Sequence, residues 1–149
     1  MSGWTSDADL LPPVPGAYAL LVEVRIPVTL PPRCVASELL PGRYVYVGSA
    51  NGPGGIRARC RRHLRAEKPI HWHIDRLTVG AEPGRNLAVA FPGKTECTLA
   101  AALRSGLAEA SPVLGFGNTD CKSCQAHLFD VGAHAEPEVI LQVLSRIEA

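Results

Sequence analysis

The sequence predicts an α/β fold, of the α+β kind, with a small central mixed sheet of three or more strands flanked by helices. Three observations predict it. Runs rich in Val, Leu and Tyr at residues 17–26, 43–48 and 86–91 read as strands. Stretches with apolar residues at helical spacing stand between and after them. The first two strand runs have no helix between them, so the order is mixed rather than strictly alternating.

Each element follows from its residues. Residues 1–14 are polar and then proline-rich, and are expected to form a flexible arm; residues 15–149 are expected to be one domain. Residues 17–26 make the first strand. Residues 27–42 hold four prolines and mixed polarity, which suits a long connection with a short edge strand around Cys34. In 43–48, Tyr44, Tyr46 and Gly48 alternate with Val45 and Val47, the period of a second strand. A glycine-rich turn covers 51–55. Residues 56–66 read as a helix whose apolar stripe is Ile56, Cys60 and Leu64. A short helix is expected after Pro69, at 70–77, and a third strand at 86–91. Residues 95–107 form a helix, 127–131 a last strand, and 138–147 a terminal amphipathic helix.

Composition excludes some classes. An apolar content of 46% is too high for a disordered chain, while 14 glycines and 13 prolines imply many turns. No apolar run approaches the roughly 20 residues of a membrane span. Residues 1–9 lack the basic and then apolar pattern of a signal peptide. Five cysteines, an odd number at irregular spacing, fit reduced thiols in a cytoplasm. The net charge of +1 says nothing about nucleic acid, but its distribution does. Arg57, Arg59, Arg61, Arg62, Arg65 and Lys68 fall within one short segment, with Glu67 as the only acid.

Two short signatures then line up. Gly16-Ala17-Tyr18 opens the first strand and Tyr46-Val47-Gly48 closes the second. They resemble the two halves of the motif that names the GIY-YIG nuclease superfamily. That resemblance extends to an arginine on the first helix (Arg59), a histidine one turn later (His63) and a glutamate on the next long helix (Glu96). Tyr46-Val47-Gly48-Ser49-Ala50, His71-Trp72-His73-Ile74-Asp75, Gly115-Phe116-Gly117, Asp120-Cys121 and His127-Leu128-Phe129 are similar to the Uri-type branch of small stand-alone domains. The likeness covers residues 15–131. The spacing from Tyr18 to Tyr46 is longer than in typical members, Ala17 replaces Ile, and the Asn that many nucleases carry soon after the glutamate helix is missing.

The resemblance implies a metal-dependent endonuclease that hydrolyses nucleic-acid phosphodiesters, with structured DNA the expected substrate. Glu96 would be the ligand for Mg²⁺ or Mn²⁺, since such ions take one or two carboxylates and complete their shell with water and phosphate oxygens. It lies on the stripe of Leu99, Ala100 and Leu103; a first-turn glutamate favoured by the helix dipole is the plainer account. Arg59 would clamp the phosphate, and His63 orient water or pass a proton. Tyr18 and Tyr46 would activate or hold the water, or simply pack a core. Gly48 and Ser49 would border the substrate. Arg57, Arg61 and Arg65 form a row that reads either as a phosphate-backbone track or as a solvated helix face. His71 and His73, with Asp75, suit a substrate contact or second metal, or else capping and packing beside Trp72. Cys121, Cys124 and His127 resemble half of a zinc knuckle, short of the four ligands that structural zinc wants. Two other functions stay open: an inactive nucleic-acid-binding module, and a zinc-stabilised adaptor.

Overall fold

The computed structural model describes residues 3–70, 74–79, 85–116 and 126–146. The elements in order are β1 (Gly16–Val24), β2 (Val28–Thr29), β3 (Glu38–Leu39), β4 (Gly42–Ala50), α1 (Gly55–Leu64), α2 (Asp75–Thr78), β5 (Leu87–Pro92), α3 (Glu96–Gly106), β6 (Ser111–Pro112), β7 (Leu128–Asp130) and α4 (Pro137–Ser145). Five strands form one sheet in the order β5-β1-β4-β7-β6. The α/β class therefore holds. The strand sense differs from the mixed sheet expected, because every pairing in this sheet is antiparallel.

The central strand explains its own sequence. β1 is flanked on both sides by strands, and helices cover both faces of the sheet. Its residues are buried almost without interruption, so it reads as a continuous apolar run rather than an alternation. Successive side chains still point to opposite faces. Tyr18, Leu20 and Val22 join a core with Ile56 and Cys60 of α1, Leu77 of α2 and Ile74 at its N-cap. Ala17, Ala19 and Leu21 join a second core with Leu99 and Leu103 of α3 and Ile140 and Leu144 of α4. The small alanines let α3 lie close to the sheet on that side. Among the described residues, no helix is long and apolar enough to cross a membrane.

The N-terminal segment has defined contacts, one expected strand is absent, and one strand was not expected. Residues 3–14, expected as a flexible arm, are packed. Thr5 pairs in both directions with Ala88, at 2.9 and 2.8 Å, and Trp4 Nε1 donates to the Pro137 carbonyl at 2.9 Å. A 3-10 turn at Ala8–Leu10 leads to Leu11, only 3% exposed. The physical reason lies at the start of α1. Its N-cap is Gly54, which has no side chain to satisfy the first helical N–H groups. The carbonyls of Val14 and Pro12 accept from Ile56 N and Arg57 N instead, at 2.9 and 3.1 Å.

The edge strand expected around Cys34 is a loop. Pro31 and Pro32 cannot donate to a ladder, so the two-residue strands β2 and β3 pair on either side of it. Cys34 N instead donates to the Pro31 carbonyl at 3.0 Å, a turn that tucks the thiol inward. The short strand β6 was not expected at all. It is two residues long, includes Pro112, and takes the outer edge, where a missing N–H costs nothing.

Candidate functional site

The site is built where β1, β4 and α1 meet. In the β1–β4 register Tyr18 lies opposite Gly48, and Leu20 opposite Tyr46. Tyr18 and Tyr46 are therefore diagonal neighbours on one face, with ring centroids 6.5 Å apart. Gly48 makes this arrangement possible. A Cβ at that position would lie 2.4 Å from the Tyr18 hydroxyl oxygen, so the space a side chain would need is filled by the buried phenol. The role of Gly48 visible in the structure is thus clearance for Tyr18. Ser49 pairs with Ala17 and belongs by the pleat to the opposite face, away from both tyrosines.

From α1, His63 reaches the same place. Its Nε2 and the Tyr18 hydroxyl share a hydrogen bond of 2.8 Å, and its ring lies 5.4 Å from that of Tyr18 and 6.1 Å from that of Tyr46. Phe116 closes the other side of Tyr46, edge-on at 6.3 Å. Tyr18 and His63 are each about 1% exposed, whereas Tyr46 is only partly covered. Of the three, Tyr46 is the ring that an outside molecule can meet.

The charges around these rings set their protonation. Burial raises the Tyr18 phenol well above its ordinary value, and the neighbouring Tyr46 adds to this, while Arg59 opposes it. Burial also pushes Tyr46 up to about 12; Glu96 pushes it further in the same direction, and Arg59 pulls it back. Arg59 and Glu96 are thus both within electrostatic reach of the two tyrosines. Burial draws His63 down to about 3, with the positive charge of Lys68 acting the same way and Asp75 against it. The imidazole is consequently neutral at ordinary pH.

That depression predicts a pH effect on stability. The unfolded histidine takes up a proton below about pH 6.5, while the folded one stays neutral until about 3. The unfolded state binds more protons in this window, so stability rises with pH there. His63 should therefore cost the fold about 1.4 kcal/mol per pH unit as pH falls below 6.5. Denaturant melts of the wild type and His63→Gln across pH 4–7 check this; equal pH slopes would overturn it.

The rest of α1 has other duties. Arg62 Nη2 meets Asp75 Oδ2 at 2.6 Å, and the Asp75 side chain is fully buried. Asp75 thus belongs to an ion pair that joins α2 to α1. In the row read as a phosphate track, Arg57 Nε donates to the Leu11 carbonyl at 2.7 Å, and Arg61 pairs with Asp9 at 2.6 Å. These two arginines hold the N-terminal segment, and Arg65, the helix C-cap, is exposed.

Glu96 opens α3, where Thr95 caps the helix by accepting from Thr98 N. Its side chain is 28% exposed, and Oε2 lies 3.7 Å from Nδ1 of the buried His127. The carboxylate is partly open and acts on Tyr46 through its charge; a hard divalent cation that keeps most of its water shell would be held through such an oxygen. Among the described residues, no group of three or more His, Cys, Asp and Glu side chains is gathered for a metal. His71, His73, Cys121 and Cys124 lie outside the described residues; of the residues read as half a zinc knuckle, only His127 is described, and it faces Glu96.

Sequence reasoning missed two contributors. The Arg62–Asp75 pair carried no local signal, since its members are far apart in the pattern. Phe116 had one, the Gly115-Phe116-Gly117 segment, but nothing in it pointed to Tyr46. No curated protein and no solved structure matches this chain. One family model, described as a domain of unknown function and designated DUF123, matches residues 17–148, and the chain belongs to that family.

Proposed function

We propose that the protein is a metal-dependent phosphodiesterase acting on nucleic acid, of the GIY-YIG type and its Uri-like branch, with structured DNA as the substrate class. The observation that carries this reading is the meeting of Tyr18, His63 and Tyr46 on one sheet face, under the charges of Arg59 and Glu96. A divalent cation on Glu96, when bound, would polarise the phosphate and acidify a water. Tyr46 holds its proton at neutral pH, and after burial the carboxylate of Glu96 is the largest reason. Cancelling that charge would lower the phenol, although its burial would remain; Tyr46 could take a proton from the attacking water only as the phenolate, after its own proton had passed to solvent. Tyr18 and the neutral His63 keep each other in place through one hydrogen bond. Arg59 supplies the fixed positive charge that a phosphate needs.

A second reading is an inactive nucleic-acid-binding module, favoured by the near-complete burial of Tyr18 and His63. Cleavage of a labelled panel (duplex, flap, fork and single strand) in Mg²⁺ or Mn²⁺ separates the two. The enzyme reading expects cutting of at least one branched substrate. Salt-sensitive binding without cutting would sink it in favour of the module.

A further inference from the structure

Arg62 and His63 are neighbours in the last turn of α1, and separate partners restrain each side chain. Arg62 Nη2 reaches Asp75 Oδ2 at 2.6 Å and the Pro69 carbonyl at 3.1 Å. His63 Nε2 meets the Tyr18 hydroxyl at 2.8 Å. The carbonyls of both residues share one donor, because Lys68 Nζ lies 3.1 Å from Arg62 O and 2.7 Å from His63 O. The last carbonyls of a helix lack helical donors, and a cation there also meets the negative end of the dipole.

The position of Lys68 is costly. Its ammonium is partly buried, and burial draws its pKa to about 8, with Asp75 opposing the fall. An exposed lysine would cap the same carbonyls without that desolvation. Arg65 N already donates to Arg62 O at 3.3 Å, so the turn has a backbone cap as well. The added restraint falls on the turn that delivers the imidazole to Tyr18.

We infer that Lys68 is a positioning residue of this site: by holding the carbonyls of Arg62 and His63 it fixes the last turn of α1, and with it His63 Nε2 on the Tyr18 hydroxyl. Its kinetic consequence, though not its structural one, rests on the phosphodiesterase reading.

Side-chain ¹⁵N NMR of the full chain tests it, with Lys68→Met, Lys68→Gln and Lys68→Arg beside the wild type. The wild-type His63 should show one fixed neutral tautomer. In folded Lys68→Met and Lys68→Gln its two nitrogen resonances should move toward the tautomer average, and Lys68→Arg should restore the separation. On a DNA that the wild type cuts, the first two variants should lower kcat by about ten- to a hundredfold, with KM little changed. Unaltered His63 resonances in folded Lys68→Met would overturn the inference. So would loss of folding in both uncharged variants, which would make Lys68 a general stabilising residue. A wild type that cuts no DNA, together with the expected NMR change, would overturn the enzyme reading and uphold the positioning role.

Discussion

Glu96→Gln should abolish cleavage and leave nucleic-acid binding in place. The amide keeps the size of the side chain and removes its charge. A neutral amide is a poor ligand for Mg²⁺ or Mn²⁺, which favour carboxylate oxygen. The expected loss in kcat is about a thousandfold, the order that several kcal/mol of lost charge stabilisation represents. On the proposed reading, binding would rest on basic side chains rather than on Glu96, and should change little. The same substitution offers a readout independent of activity. Glu96 is the largest influence after burial that raises Tyr46. In Glu96→Gln the phenol should titrate at lower pH than in the wild type, measurable by ultraviolet difference spectra against Tyr46→Phe. Cleavage that survives the substitution would remove Glu96 from the chemistry. A Tyr46 titration that does not move would remove it from the site altogether.

Asp75→Ala should be the most damaging of the single changes to stability. The substitution leaves the mostly buried Arg62 without its 2.6 Å partner carboxylate. Removing one member of a buried ion pair costs about 3–5 kcal/mol, since the remaining charge stays desolvated. For a chain of this length that lowers Tm by on the order of 10 °C. Asp9→Ala is the internal control. Its pair with Arg61 is equally short, but both side chains are at least half exposed, at 77% and 50%. An exposed pair contributes about 0–1 kcal/mol, so the control should melt almost with the wild type. Equal losses for the two variants would show that burial does not set the value of the Arg62–Asp75 pair. The consequence reaches the site, because Asp75 ties α2 to the turn that carries His63.

The contrast between these pairs also bears on the basic helix. In sequence, Arg57, Arg61 and Arg65 form one row with one chemistry. In the fold they divide. Arg57 and Arg61 hold residues 9–11 against α1, while Arg65 stands exposed at the helix end. A helical repeat shows which residues share a face, but not what covers that face. Here the cover comes from the N-terminal segment, which composition alone marked as an unstructured lead-in.

The amino-acid sequence by itself determined the elements whose periods are long and clean. β1, β4, α1, β5, α3 and α4 all lie within a few residues of the stretches read from apolar spacing. The stripe of Ile56, Cys60 and Leu64 was equally legible, with Ile56 and Cys60 fully buried and Leu64 partly so, because periodicity depends on near neighbours. Tyr18, Tyr46, Arg59, His63 and Glu96 could be named from their order along the chain. Only the tertiary structure decided how they stand to one another. The antiparallel register makes the two tyrosines diagonal, and Gly48 gives Tyr18 its room. Burial holds the phenols protonated and the imidazole neutral. The ion pair of Arg62 with Asp75 and the double cap by Lys68 depend on α2 and the 65–70 chain folding back over α1. Desolvation and charge pairing are sums over neighbours distant in sequence, and no local pattern records them.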